Sequence, residues 1–381
     1  MQFDEETPKP NIPLLSSKKD VKGLINALRC DDIDIRYDAM DALRKLGELS
    51  IAQLCNALKD EDRNVRKCAC IVLGDLRNPK AVRELTETLK DVDADVREAA
   101  AEALGLIEDK SALNPLLESL KDEHPFVRAQ AAISLSDLQV EDSSDYIVSH
   151  IISLLNDKEW IVRENAVIAL SKFSCEKVHE QIIKMLSDSS EHVVERAIKT
   201  LGEMKCKKAV PYLSNMLQSN HPDRKWAAWS LGEIGEGISA LVHALKNDSD
   251  VEVRRKAATA LGKLADIRAI DALEHALFND EDEVSTRATK ALGKIGASTK
   301  EDKAKERIEN ILIKAVKDDH LDVKLNALLG LGNLGKSQNP RTLEVLQNEK
   351  DHDIEEIRNA ANESLNKIKN YQNKTLSNQN K

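Results

Sequence analysis

Aromatic side chains are nearly missing from this sequence: Phe, Tyr and Trp make up 3% of its 381 residues. A thick globular core normally uses such rings to fill volume. Thin layers packed with Leu, Ile, Val and Ala fit this composition better. Proline and glycine are sparse as well, at nine and fourteen residues, which suits many helices and few long loops. Six cysteines lie far apart or inside helix-like stretches. That spacing excludes a disulfide-stapled scaffold and leads us to expect a reducing, cytoplasmic setting. No apolar run approaches the ~18 residues of a membrane span. The opening MQFDEETPKPNIP has neither a basic nor an apolar region, so it does not read as a secretory signal. Positive charge is in deficit: 56 Lys and Arg stand against 66 Asp and Glu, a net charge of −10. This disfavours broad nucleic-acid binding but leaves room for a local basic strip.

Motifs that carry chemistry are missing too. The sequence holds no P-loop, dinucleotide fingerprint or nucleophile elbow. Cys68 and Cys70 are the closest cysteine pair. On a helix, residues two apart diverge by about 200°, so these two read as packing residues rather than a metal clamp. His179-Glu180 is the single His-Glu pair. We therefore expect no catalytic residue, no metal and no cofactor.

What is present is a repeat. Anchors at Arg36, Arg66, Arg97, Arg128, Arg163, Val194, Arg224, Arg254, Ser285, Lys324 and Arg358 recur every 30 to 39 residues. Three positions after every anchor stands alanine, from Ala39 to Ala361. Seven after stands leucine, from Leu43 to Leu365. Ten after is always apolar, and one before is aliphatic except at Asp223. Steps of 4, 4 and 3 trace one stripe of an α-helix. An amphipathic run, such as AVRELTETL, precedes each stripe across a short polar turn. Each unit is therefore helix–turn–helix, too thin to bury its stripe alone. Stacking on neighbours buries it and gives an all-α solenoid.

Segments such as LKDVDADVREAAAEALGLIEDKSA (89–112) resemble HEAT repeats of the short type named after phycobilisome lyases. The resemblance covers about 20–369 and implies a right-handed α-solenoid of eleven hairpins. We expect a repeat domain over 19–369, flanked by loosely docked or disordered tails at 1–18 and 370–381. Longer connections at QVEDSSDY (139–146) and ASTKEDKAKE (297–306) read as surface insertions or binding loops.

An Asp stands six before many anchors. The resemblance implies an Asp–Arg ladder through Asp60, Arg66, Asp91, Arg97, Asp122, Arg128, Asp157, Arg163, Asp248 and Arg254. Each Asp would cap its second helix or turn, and each Arg would bridge to a neighbour's turn. The ladder breaks at repeat 6, with Val194, and at repeat 9, with Asn279 and Ser285. Both breaks shift an arginine two positions along, to Arg196 and Arg287.

In HEAT-like arrays the second helices line the concave groove. On that basis offsets +1, +2, +5 and +9 face it or its shoulder. Repeats 7 to 9 put Lys225, Trp226, Trp229, Arg255, Lys256, Lys263, Arg287, Lys290 and Lys294 there. The two indoles either meet a partner or pack between helices. We expect a protein-binding scaffold whose partner offers an apolar anchor and an acidic flank, with repeats 7–9 as the preferred zone. Two alternatives follow from resemblance alone. One is work like that of a bilin lyase. The other is DNA binding of the alkylpurine glycosylase kind, with Glu233 as the nearest groove carboxylate. The di-iron deoxyhypusine hydroxylases of this class carry several His-Glu pairs, which argues against that activity here.

Overall fold

The computed structural model describes residues 9–138, 144–334 and 339–379, with side chains as far as Tyr371. Among the described residues every regular element is helical. The chain forms two compact units, Met1–Ala197 and Ile198–Lys381. Each unit is a solenoid stack of the hairpins that the repeat predicts.

In the first unit the second helices are Ile33–Leu46, Arg63–Leu76, Ala94–Ile107, Pro125–Asp137 and Trp160–Leu170. In the second unit they are Arg224–Ile234, Val251–Leu264, Asp282–Ser298, Leu321–Asn333 and Glu355–Gln379. The boundary between units falls inside Glu191–Glu203, the second helix of repeat 6. Within each unit, second helices pack on second helices of the next hairpin and first helices on first helices.

The stripe is the core. All eleven alanines at the third position after the anchor are 0% exposed, and so is every leucine at the seventh except Leu365. Glycine follows that leucine in seven repeats because consecutive second helices nearly touch there. A Cβ on Gly105 would lie 2.8 Å from the Ser134 Cα, and one on Gly262 would lie 2.9 Å from the Ala291 Cα. Even one methyl group at such a position would force the hairpins apart.

The ladder exists, with a finer division of labour than the sequence suggests. Six anchor arginines reach forward to the next repeat. Arg66 donates to both oxygens of Asp91, Arg97 to Asp122, Arg128 to Asp157 and Arg163 to Asp188, at 2.7–2.9 Å. In the second unit Arg224 reaches Asp248 and Arg254 reaches Asp280. Within its own repeat, the Nη1 of Arg66, Arg97, Arg128, Arg163 and Arg254 donates to the carbonyl of the Asp six residues back.

The ladder carboxylates do not cap the helices. They accept the N–H two residues on and so fold the turn, as Asp91 does from Asp93. Capping falls to a second Asp four before the anchor: Asp32, Asp62, Asp93 and Asp250. Two expected positions are filled differently. Asp60 takes Arg29, and among the described residues Arg36 makes only the bonds to the Cys30 and Asp31 carbonyls. Asn279 is bypassed, because Asp280 serves as the acceptor one residue on.

Burial raises the ladder carboxyls Asp122, Asp157 and Asp188, but bonds from Arg97, Arg128 and Arg163 and from turn amides bring them below the ordinary range. The unfolded chain, with carboxyls near 3.9, therefore takes up protons before the folded one. The stabilisation is complete above that value and is lost as pH falls through the lower folded values. We expect the urea midpoint of the chain to hold between pH 7 and 5 and to fall steeply below pH ~4. A midpoint insensitive to that acid range would contradict the ladder's role.

Four segments differ from expectation or lie outside description. Residues 12–17, assigned to a loose tail, form the helix Ile12–Ser17, closed by the Asn11 side chain and anchored by buried Ile12. Residues 370–379 continue the last helix, since NYQNKTLSNQ contains neither glycine nor proline. The insertion at 297–306 is no loop. It extends Asp282–Ser298 to 17 residues and opens Asp302–Ala315, leaving only 299–301 between them. The other insertion falls mostly on residues 139–143, outside the described residues.

Candidate functional site

Repeats 7 to 9 set three second helices side by side in the second unit: Arg224–Ile234, Val251–Leu264 and Asp282–Ser298. Their stripe residues point inward, so the offsets between stripe positions must point out. None of the nine side chains expected on this face is buried. Lys263, Lys290 and Lys294 are exposed, and Lys225, Trp226, Trp229, Arg255, Lys256 and Arg287 are half-buried.

The tryptophans pair edge to face, with centroids 6.4 Å apart and planes at 86°. Spacing of three on a helix brings such rings together. Trp226 is also sandwiched by cations. Lys199 Nζ lies 3.8 Å from its ring centroid, Lys256 Nζ 4.9 Å and Lys225 Nζ 5.8 Å. Its indole N–H is occluded and has no acceptor. The two indoles sit differently. Trp226 lies beneath lysines, a cation–π arrangement, while Trp229 flanks it on the same face. Lys199 is a member that sequence reasoning missed. The signal was available, since it stands at the +5 offset of repeat 6, one repeat before the tryptophans.

The cations divide into three sets. Arg255 is answered by Glu252 at 2.6 Å and Glu283 at 3.6 Å, and Lys263 is paired with Glu233. The proposed groove carboxylate, Glu233, is thus engaged in an ion pair. Lys256 is held below its ordinary pKa, first by burial and then by Arg255. Lys225 and Lys256 have no ion-pair carboxylate among the described residues and lie against the Trp226 ring instead, and Arg287, Lys290 and Lys294 have neither. These last three line one side of a small pocket whose other wall is Thr259 and Gly262.

The break in the ladder explains this set. Ser285 Oγ shares its hydrogen between the Ala276 and Asp280 carbonyls at 3.2 Å, so it replaces one of the anchor arginine's two local bonds. It is too short to reach forward. Asp318, the next repeat's ladder carboxylate, accepts the His320 N–H and no arginine. The displaced arginine, Arg287, stands on the outer face instead. At the other break, Arg196 is neutralised by Glu164 at 3.5 Å.

All six cysteines are free, and Cys70 is fully buried, with its thiol pushed up by that burial. Among the described residues no cluster of three His, Cys, Asp or Glu side chains is set to hold a metal. No helix among them is long and apolar enough to cross a membrane.

Comparison with known proteins bears on this architecture. The family described as HEAT repeats matches residues 21–105, 83–153, 148–232 and 238–310. The PBS lyase HEAT-like repeat matches residues 223–247, the hairpin segment that carries both tryptophans. No curated protein matches the chain in sequence. Among solved structures it is similar to Kap95p, whose binding induces the switch loops of RanGDP to adopt the GTP-bound conformation. The TM-score is 0.68 at 12% identity, over 92% of this chain and 56% of that one. It is also similar to Kap121p, with TM-score 0.61 and 17% identity over 95% and 46%. The karyopherin Kap121p bound to the extreme C-terminus of the protein phosphatase Cdc14p gives 0.60 at the same identity and coverage. The chain spans about half the length of these structures. At such identities the likeness is one of fold.

Proposed function

The chain belongs to the HEAT-repeat family, and from that premise we propose that it is a protein-binding scaffold holding a partner segment on the second helices of repeats 7–9. One observation carries this reading. A chain of net charge −10 gathers an indole pair and a band of lysines and arginines on one open helical face. Tryptophan and arginine dominate binding hot spots. A partner with an apolar side chain beside acidic residues would seat the former against Trp229 and the latter among Lys225, Lys256 and Lys290. The folds of Kap95p and Kap121p, which in their solved structures engage RanGDP and the Cdc14p C-terminus, support a protein partner over other classes. The match to a PBS lyase HEAT-like repeat spans a single hairpin and concerns the structural unit rather than a chemistry.

The test begins with proteins captured by the full chain and identified by mass spectrometry. A purified acidic segment of one of them is then titrated against wild type and a Trp229→Ala/Lys290→Glu variant. A hot-spot loss of ~2 kcal/mol or more means at least about thirtyfold weaker binding. Lys290 is exposed and Trp229 half-buried, so the variant is expected to keep its helical circular dichroism. An unchanged Kd would remove repeats 7–9 as the docking zone.

A further inference from the structure

Repeat 9 differs from its neighbours in holding three cations met by neither a carboxylate nor an aromatic ring among the described residues. On the same face of other repeats Lys67 meets Asp95, Lys172 meets Asp137, Arg255 meets Glu252 and Lys263 meets Glu233, while Lys225 and Lys256 lie against Trp226. Arg287, Lys290 and Lys294 stand three and four residues apart on one helix, where like charges repel. No acid compensates them among the described residues. Ser285 removes the anchor arginine, and Arg287 appears two residues on, where the ladder cannot use it.

The three cations enclose a cavity of ≈80 Å³ with Thr259, Gly262 and Ala291. That is room for two or three waters at ~30 Å³ each, far below the ~300–1,000 Å³ of drug-sized ligand sites. A single carboxylate brings one negative charge. A phosphate monoester brings about −1.5 to −2 and three acceptor oxygens, and a guanidinium can grip two of those oxygens at once. The surroundings decide what carries the phosphate. The chain as a whole carries a net charge of −10, which disfavours a nucleic-acid backbone or an anionic bilayer. Trp229 on one flank and the half-buried Leu325 and Leu329 on the other offer apolar ground instead.

We propose that the Arg287–Lys290–Lys294 pocket receives a phosphorylated serine or threonine of the partner segment, so that the scaffold distinguishes phosphorylated from unphosphorylated partners. This rests on the docking zone proposed above, and its test separates the two ideas. The full chain is titrated at fixed ionic strength with a degenerate phosphoserine peptide library and with the same library carrying serine. Wild type, Lys290→Gln/Lys294→Gln and Trp229→Ala are compared. We expect wild type to favour the phosphorylated library by about tenfold or more. The lysine variant should lose that preference while keeping its fold, since both lysines are exposed. Trp229→Ala should weaken both libraries alike. Equal binding of the two libraries by wild type overturns the pocket's role and leaves the docking zone standing. So does a preference that the lysine variant retains. Tighter binding of phosphatidate vesicles, or of a mixed-sequence oligonucleotide, than of the phosphopeptides also overturns it. If the lysine variant loses the preference and Trp229→Ala changes nothing, the pocket stands and the tryptophan zone falls.

Discussion

Arg128→Ala is expected to lower the stability of the first unit by about 3–5 kcal/mol, the range for stripping one partner from a buried ion pair. Arg128 donates to both oxygens of Asp157 at 2.8 and 2.7 Å, and to the carbonyls of Asp122 and Glu123 at 2.8 and 3.1 Å. The two charged side chains are only 8% and 11% exposed. Without the guanidinium, Asp157 would keep one bond, from the Glu159 amide, and two part-buried carbonyls would lose their donor. The cost is therefore the orphaned partners more than the pair itself. Replacing both ends, as in Arg128→Met with Asp157→Asn, removes the stranded charge and should cost clearly less than Arg128→Ala. Urea denaturation followed by circular dichroism measures all three chains. A loss under ~1 kcal/mol for Arg128→Ala would class the ladder with ordinary surface ion pairs.

The ladder also shows how far the sequence could be read. Its regular spacing exposes the repeat, because a stack of identical hairpins demands the same residue at the same place eleven times. Alanine at the third position and leucine at the seventh are dictated by close packing, and the structure buries them as the pattern requires. The spacing could not say which Asp meets which Arg. Asp93 and Asp91 are two residues apart and chemically identical, yet one caps a helix and takes a single bond from Arg63, while the other takes Arg66 through both oxygens. Only three-dimensional adjacency separates those roles. The candidate site shows the same limit. Helical phase places Trp226, Lys256 and Lys290 on an outer face. It does not reveal that Lys199 reaches across from repeat 6 to cover an indole. Nor does it reveal that Glu252 and Glu233 silence two of the expected cations. Charge pairing depends on rotamers and on neighbours about thirty residues away in sequence. The unanswered trio in repeat 9 is therefore a finding of the structure, though the displaced Arg287 marked its position.

Leu261→Ala is the second large effect, expected at about 2–5 kcal/mol. Leu261 is 0% exposed and sits on the stripe of the middle helix beneath the proposed docking face. Its removal opens a cavity where the second helices of repeats 7, 8 and 9 meet. In a stack whose hairpins touch only their neighbours, such damage spreads locally rather than evenly. Amide exchange should accelerate most within repeats 7–9, and partner affinity should fall although Leu261 touches no partner. Leu104→Ala makes the decisive comparison. That leucine occupies the same stripe position, is equally buried, and belongs to the first unit. It should cost a similar amount while leaving affinity intact. If both variants weaken binding equally, affinity reports the overall folded fraction and the docking face has no special dependence on repeat 8. If Leu261→Ala leaves exchange in repeats 7–9 unchanged, the recurrent leucine does not hold these hairpins together, and the packing on which the face is built must lie elsewhere.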